Sequence, residues 1–273
     1  MEYSVVLPVY AGDNPEWFRL SAQSVLDQTE PSDDVVVVAD GPLPPGLAAA
    51  VSDLAARHPE VSVLADAAHH GAGPARNRGV AAARNEIVAV QDADDISTPE
   101  RMALLLAALA ADPALALVGG QLAEFGGDDP ANITSYRRVP LEMPDIRRFA
   151  ARRMPVNGPT LMFRKADVLA VGGYGASTRS EDYLLISRLL AAGKRIANVD
   201  EVVLLYRGGH DAMARRRTWR HFREFVATRV EVHRLGIGTW ADVAIPCLAQ
   251  LAITITPPAV TRALYARLLR ARD

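Results

Sequence analysis

Short runs of β-branched residues alternate with Ala- and Leu-rich stretches through the first half of the chain. Four consecutive valines at 35–38 are typical of a strand that is covered on both faces. Asn14 before Pro15 predicts a helix start, because proline at the first helical position loses no hydrogen bond. The alternation predicts an α/β fold with a mostly parallel central sheet flanked by helices. The predicted strands are 4–10, 35–39, 61–65, 87–91 and 115–125, and the predicted helices are 14–28, 46–58, 74–84 and 98–112, the last with Thr98 as its cap.

The alternation weakens after Phe125, and the polar residues 126–144 are predicted to form loops. The later predicted elements are a strand at 160–163, a helix at 181–192, a strand at 202–206, a helix at 213–234 and two further helical pieces separated by Pro257 and Pro258. The apolar stretch 243–256 is too short to cross a bilayer comfortably, so no transmembrane helix is predicted. The first residues lack the basic region of a signal peptide.

The charge is unevenly distributed. The chain carries 30 Lys and Arg against 32 Asp and Glu, and this net charge of −2 argues against nucleic-acid binding. Residues 1–206 contain 18 basic and 27 acidic side chains, whereas residues 207–273 contain 12 and 5. A basic tail therefore follows an acidic body. The lone Cys247 fits a reducing compartment.

Acidic side chains follow two of the predicted strands. Asp92, Asp94 and Asp95 come directly after the strand at 87–91, and ligands of an open α/β sheet bind beyond the carboxyl ends of its strands. Two carboxylates separated by one residue suit Mg²⁺ or Mn²⁺, although an acidic loop that caps the next helix has the same pattern. Asp40 closes the second strand, where it either accepts hydrogen bonds from a base or ribose or forms a plain Asp-Gly turn.

Three further segments each allow a functional and a structural interpretation. The glycine-rich helix entrance 71–79 lacks the third glycine of the dinucleotide fingerprint, and its Arg76 either approaches an anion or is solvated. Glu181 and Asp182 begin a helix, either as dipole-favoured residues of the first turn or as a general base with its neighbour. His210 is either a loop histidine or a metal or phosphate contact.

Taken in order, these segments resemble a family 2 glycosyltransferase of bacterial polysaccharide or glycolipid synthesis. The matching segments are Val5 to Tyr10, Val38 to Gly41, Ala75 to Gly79, Asp92 to Asp95, Gly172 to Tyr174, Glu181 to Tyr183, and Tyr206 with Arg207. The resemblance implies a GT-A fold, a nucleotide-sugar donor, a divalent metal that bridges the donor diphosphate, and inversion of the anomeric carbon. It covers roughly residues 3–210, which predicts a catalytic domain at 1–210, and the arginines and apolar residues of the tail predict a basic amphipathic helical extension at 211–273.

The resemblance also implies a role for individual residues. Asp182 would be the base that deprotonates the acceptor, and Asp92, Asp94 and His210 would contact the metal. The residues implied in nucleotide binding are Pro8, Val9, Tyr10, Asp40, Arg76 and Asp92. The residues implied around the donor sugar and the acceptor are Asn157, Gly158, Arg164 and Glu181.

The expected donor carries UDP or dTDP, and the expected acceptor is a lipid-linked or polysaccharide hydroxyl. The arginines of the tail are expected to bind an anionic membrane surface, which would make this a cytoplasmic protein at the inner face of the plasma membrane; the alternative is that the tail helices pack on the catalytic domain. Two other functions stay open: a sugar-phosphate nucleotidyltransferase and a non-catalytic nucleotide-sugar-binding or scaffold protein. The first typically carries a basic glycine-rich loop after strand one, and residues 11–14 contain no basic side chain.

Overall fold

A computed structural model describes residues 1–175, 180–208 and 218–256. Strands and helices alternate in its first part, as the sequence predicts. These elements are β1 (Tyr3–Tyr10), α1 (Pro15–Leu26), β2 (Asp34–Asp40), α2 (Pro45–Arg57), β3 (Val61–Ala65), α3 (Ala72–Ala82) and β4 (Ile87–Val90). The predicted His210 contact, residues 213–217 of the predicted helix and the basic segment 257–273 lie outside the described residues.

The second part adds short strands, helices and two long strands. Its elements are β5 (Ile96–Ser97), α4 (Arg101–Ala111), β6 (Leu115–Gly126), β7 (Ile133–Arg137), α5 (Met143–Ala150), a 3₁₀ turn (Gly158–Thr160), β8 (Met162–Arg164), α6 (Lys165–Ala170), α7 (Glu181–Ala191), β9 (Arg195–Gly208), α8 (Trp219–Arg234) and α9 (Trp240–Ile255).

All these strands join one sheet in the order β3-β2-β1-β4-β8-β6-β9-β5, with β7 paired to β6. The first four are parallel, and β6 pairs with β9 in parallel, whereas β8 is antiparallel to both of its neighbours. Tyr10 lies opposite Asp40 in the register of β1 and β2, so these two strands end together. The α/β prediction is confirmed, and helices cover the sheet.

Local chemistry explains the first elements. Every residue of β2 is buried, as the valine run predicts. The Asn14 side chain accepts hydrogen bonds from the amides of Glu16 and Trp17, which caps α1. Helix α3 packs closely on the sheet because Gly79 has no side chain, and a Cβ there would collide with Val6.

Three sequence predictions are corrected. Thr98 does not cap α4, because residues 96–97 pair with β9 and the helix begins at Arg101 after the N-cap Glu100. The segment 126–144 is not only loop, since it contains β7 and the start of α5. The last predicted strand is much longer than 202–206, because β9 follows β6 along its length.

The C-terminal helices contact the rest of the fold. Val232 of α8 and Ile237 belong to the same buried cluster as Tyr183 and Leu185 of α7. Arg229 donates a hydrogen bond of 2.8 Å to the Tyr183 hydroxyl. No helix within residues 1–175, 180–208 and 218–256 is long and apolar enough to cross a membrane.

Candidate functional site

A cleft of about 760 Å³ opens at the carboxyl ends of β1, β2 and β4. We call it the acidic cleft. Parallel strands of one sheet bring their carboxyl ends to one edge, so residues far apart in sequence meet here. Among its lining residues are Pro8, Val9, Tyr10, Asp13, Asp40, His69, Arg76, Asp92 and Asp94. The structure therefore brings together all six residues expected to bind nucleotide and two of the three expected to hold metal.

Asp40 holds one wall of the acidic cleft. Its two carboxylate oxygens accept hydrogen bonds from the amides of His70 and Gly71, at 2.7 and 2.8 Å. The His69 ring lies 2.8 Å from the same carboxylate and stacks on Tyr10, with ring centroids 5.6 Å apart. Asp40 thus fixes the 69–71 loop, and Tyr10, which is 45% exposed, presents an aromatic surface to the cleft.

Arg76 joins three carboxylates at the inner side of the cleft. Its Nη2 donates to Asp92 at 2.6 Å, and its Nη1 donates to Glu181 at 2.7 Å and to Asp182 at 3.2 Å. The guanidinium also lies 5.5 Å from the centre of the Tyr174 ring. Burial alone would lower the pKa of Arg76, but the carboxylates raise it well above its usual range. Arg76 therefore stays charged and links the cleft to helix α7.

Asp182 has the properties of a general base. Burial raises its pKa to about 7; Arg76 opposes this shift, and the negative charges of Glu181 and Asp92 add to it. A carboxylate with a pKa near 7 accepts a proton efficiently at neutral pH. Gly158 leaves the space for this carboxylate, because a Cβ at 158 would collide with Asp182 Oδ2. The structure thus brings Asp182, Glu181 and Gly158 together.

Several acidic side chains crowd around Asp94. Burial raises the pKa of Asp13 to about 7, with a further contribution from Asp94 and Asp92. Burial, followed by the charges of Asp92 and Asp94, raises the pKa of Asp95 well above its usual range, and the buried Asp95 Oδ2 has no hydrogen-bond partner among the described residues. A divalent cation would relieve this repulsion, so the donor set fits one.

The described residues contain no preformed metal cage. No group of three or more His, Cys, Asp or Glu side chains within them is arranged to hold an ion. Mg²⁺ does not need such a cage, because it binds through one or two carboxylates together with substrate phosphates and water. Asp92 and Asp94 meet that requirement.

Two buried arginines, Arg101 and Arg207, hold the segment that carries the acids, and no role for either was predicted from the sequence. Arg101 donates to the carbonyl of Val90 at 2.7 Å and to the Gln91 side chain at 2.7 Å, and burial lowers its pKa to about 10. Arg207 donates through its amide to Asp95 at 3.0 Å and through Nε to the carbonyl of Asp94 at 3.1 Å. Both therefore orient the 90–95 segment. Of the two, only Arg207 is indicated by the sequence, because the Tyr206–Arg207 pair is one of the segments that resemble the family.

Asn157 and Arg164 do not line the acidic cleft. The side-chain amide of the buried Asn157 donates to the carbonyls of Gly120 and Arg137, at 2.9 and 3.2 Å. Arg164 pairs with Ile87 at the start of β4, whereas Asp92 follows the end of that strand. Its guanidinium donates to the carbonyls of Leu109 and Leu115. The expectation that Arg164 faces the donor sugar and the acceptor is therefore wrong, because β8 runs away from the cleft.

The backbone before Asp182 is unusual. Ser180 has a φ of 61°, the left-handed conformation, immediately before Glu181 and Asp182. Within the described part of the chain it is the only residue other than glycine with a positive φ. Residues other than glycine rarely adopt this backbone conformation. Backbone strain of this kind often accompanies functional segments.

Comparison with known proteins gives a consistent result. A model of the family described as glycosyl transferase family 2 matches residues 4–171. The chain is 31% identical over 236 residues to the amylovoran biosynthesis glycosyltransferase AmsE of Erwinia amylovora, a match that covers 86% of each chain. It is 23% identical over 269 residues to the UDP-Gal:α-D-GlcNAc-diphosphoundecaprenol β-1,3-galactosyltransferase of Escherichia coli, which covers 98% of this chain and 97% of that enzyme.

The fold is similar to a solved structure as well. The mannosyltransferase PcManGT from Pyrobaculum calidifontis, in complex with GDP-Man and Mn²⁺, superposes with a TM-score of 0.63 at 19% identity. The match covers 100% of this chain and 81% of that one. This similarity confirms the predicted GT-A fold.

Proposed function

This chain belongs to glycosyl transferase family 2, and we propose that it transfers a hexose, with inversion, from a nucleoside-diphosphate sugar to a hydroxyl group in cell-surface glycan synthesis. The names of its relatives support this role: AmsE acts in amylovoran biosynthesis, and the Escherichia coli enzyme uses UDP-Gal and a diphosphoundecaprenol-linked acceptor. By the same argument the donor carries UDP, with dTDP as the second choice, and the acceptor is lipid-linked or a polysaccharide.

The donor binds in the acidic cleft. The volume of the acidic cleft, about 760 Å³, lies within the usual range of roughly 300–1,000 Å³ for ligand sites. The exposed ring of Tyr10 offers a stacking surface for the base. Asp40 acts by holding the 69–71 loop against that ring.

Asp92 and Asp94 hold Mg²⁺ or Mn²⁺ when the donor is bound, and His210 is a further candidate ligand. The PcManGT complex with Mn²⁺ supports the use of a divalent metal. The ion supplies Lewis-acid neutralisation of the charge that develops on the leaving diphosphate. Arg101 and Arg207 orient the segment that carries both carboxylates.

Asp182 takes the proton of the acceptor hydroxyl. An alcohol is a weak nucleophile, so the bond to the anomeric carbon forms as the proton leaves for the carboxylate. The bond between that carbon and the donor phosphate breaks on the opposite face, and a single displacement of this kind inverts the configuration. Arg76 fixes the base against the cleft by its hydrogen bonds to Asp182 and Asp92.

Residues 1–210 form the catalytic domain, and the basic extension at 211–273, whose helix α8 packs on α7, meets an anionic membrane at the cytoplasmic face. Helix α9 supports this proposal with an exposed apolar stripe: Ile245, Leu248 and Ile255 are 52%, 65% and 62% exposed. Trp240 at its start is 63% exposed. Helix α9 itself contains no basic residue, so the positive charge for an anionic surface would come from Arg262, Arg267, Arg270 and Arg272, which follow it in the sequence.

The observation that carries the proposal is the position of Asp182, 3.2 Å from the arginine that also binds Asp92 at the cleft. The test is to incubate the full chain with Mn²⁺ and a panel of UDP-, dTDP- and GDP-sugars and to follow release of the nucleoside diphosphate. Asp182→Asn should lower turnover by about 10²–10⁴-fold without weakening donor binding. The matched control is Asp53→Asn, which removes an exposed carboxylate of α2.

Retained turnover in Asp182→Asn would refute the assignment of the base. Failure of every nucleotide sugar to bind would refute the proposed donor. Pyrophosphate release from a nucleoside triphosphate and a sugar phosphate would instead identify a nucleotidyltransferase.

A further inference from the structure

A second concave space of about 1030 Å³ lies outside the acidic cleft and shares no lining residue with it. It is formed by residues 138–140, helix α5 with the residues that follow it, and the turn before α9. Five arginines line it, against two acidic residues, Asp145 and Asp242. These arginines are Arg138, Arg147, Arg148, Arg152 and Arg153. We call this space the arginine groove.

The positive charge of the arginine groove is only partly balanced. Three of its arginines form ion pairs: Arg138 with Asp200 at 3.3 Å, Arg148 with Asp145 at 3.0 Å and Arg152 with Asp242 at 2.6 Å. The other two have no carboxylate partner within residues 1–175, 180–208 and 218–256. These two are Arg147 and Arg153.

The contacts of these two arginines leave their charges available. Arg147 donates through Nη1 to the carbonyl of Leu190 at 3.2 Å, and Arg153 lies 6.0 Å from the centre of the Phe149 ring. Burial lowers the pKa of nearby Arg229, with a further contribution from the like charge of Arg153. Positive charge therefore accumulates at this end of the groove, where a bound anion would balance it.

The groove adjoins the helix that carries the base. Tyr183, the residue after Asp182, donates a hydrogen bond of 2.6 Å to the carbonyl of Ala150, and Ala151 lines the groove. The chain then runs from Arg153 through Met154 to the 3₁₀ turn at Gly158, which lies against Asp182. Asp182 thus contacts the acidic cleft through Arg76, and the segment that leaves the arginine groove reaches Asp182 at Gly158.

We propose that the arginine groove binds the phosphate or diphosphate group of the acceptor, while the acceptor sugar presents its hydroxyl to Asp182. This inference rests on the proposed glycosyl transfer to a phosphate-linked acceptor. Guanidinium groups suit the role, because their planar N–H donors bind phosphate oxygens in pairs. The two phosphate sites also differ in charge: the acidic cleft needs a cation to hold a diphosphate, and the arginine groove does not.

This difference gives a test that needs no knowledge of the sugars. Geranyl diphosphate is titrated into the full chain by isothermal calorimetry, with EDTA present to remove divalent metal, and geraniol serves as the probe that lacks phosphate. We expect geranyl diphosphate to bind and geraniol not to bind. Arg147→Gln with Arg153→Gln should weaken binding by tenfold or more, as the loss of one charge-assisted hydrogen bond already predicts.

The matched control is Arg57→Gln with Arg195→Gln, which removes two exposed arginines outside both cavities and should leave binding unchanged. If the double groove variant does not fold, the single Arg153→Gln variant replaces it, since the Arg153 side chain is exposed and lies 6.0 Å from the centre of the Phe149 ring. Binding of UDP with Mn²⁺ is measured separately and should be the same in the groove variant and the native chain. If the native chain does not bind UDP with Mn²⁺, the proposed donor site is refuted. The geranyl diphosphate titrations still test the arginine groove in that case.

Three results would overturn the inference: equal binding of geranyl diphosphate by the groove variant and the native chain, equal binding of geraniol and geranyl diphosphate, and dependence of binding on added metal. A fourth arm uses vesicles of phosphatidylglycerol and phosphatidylcholine. If the groove substitutions reduce vesicle binding and leave geranyl diphosphate binding intact, the groove meets a membrane surface and the acceptor assignment is wrong.

Discussion

Replacing Glu181 with glutamine should move the pH dependence of transfer to lower pH. Asp182 acts as a base only when it is ionised, so kcat/KM should rise with pH through its pKa, which burial raises to about 7. The negative charge of Glu181 adds to that rise. The glutamine side chain would remove the charge and keep an oxygen that accepts the hydrogen bond from Arg76, so the ionised form of Asp182 becomes easier to reach.

The distances set the size of this shift. Both carboxylates bind the same Nη1 atom of Arg76, at 2.7 and 3.2 Å, so the two oxygens are less than about 6 Å apart. At an effective dielectric constant of about 20, two unit charges about 6 Å apart repel by roughly 3 kcal/mol, which equals about two pKa units. Water in the open cleft screens part of this repulsion. We therefore expect the acidic limb to move by about one to two units.

The assay is kcat/KM for nucleoside diphosphate release between pH 5 and pH 9, at fixed ionic strength and saturating Mn²⁺. Glu60→Gln is the matched control, because Glu60 is a carboxylate beside His58 outside the acidic cleft, and its profile should match the native one. An acidic limb that stays in place in Glu181→Gln, or moves to higher pH, would refute the electrostatic account of Asp182.

Three more substitutions test the supports of the site. Gly158→Ala should lower kcat by about 10²-fold and leave the unfolding temperature nearly unchanged, because the added Cβ displaces the Asp182 carboxylate from its position. Arg101→Met should lower the free energy of unfolding by about 3 kcal/mol, measured by urea titration, because a buried guanidinium with several buried acceptors is lost. Asp40→Asn should raise the Kd of UDP with little change in kcat, since the two backbone donors of the 69–71 loop bond to different oxygens of Asp40, and one of these would become an amide nitrogen that cannot accept. Wild-type values in any of these assays would contradict the corresponding contact.

Much of the N-terminal half of the fold could be predicted from the sequence. The strand at 61–65 has the predicted bounds, and β2 extends the predicted strand by one residue at each end. Buried parallel strands are continuous apolar runs, so local sequence identifies them. The polar strand β7 was missed because four of its five residues are exposed, so no apolar run marks it. Thr98 failed as a cap because the pairing of residues 96–97 with β9 is a long-range contact.

The candidate site was predictable where topology alone decides position. Asp40 ends β2 and Asp92 follows β4, and these parallel strands end at the same edge, so the meeting of the two residues follows from the fold. The three-way contact of Arg76 depends on helix α7, which begins 105 residues later, and no local pattern indicates it. Arg164 was misplaced because the sequence does not reveal that β8 runs antiparallel to β4.

The central claim is that the acidic cleft binds a nucleotide diphosphate through a cation at Asp94. Its most direct test is a crystal structure of the full chain soaked with UDP and Mn²⁺, with anomalous data collected for manganese. The account predicts one anomalous peak between the diphosphate and the carboxylate of Asp94, with the base of UDP beside Tyr10. A bound nucleotide elsewhere on the chain, or UDP in the cleft with no manganese next to Asp94, would contradict it.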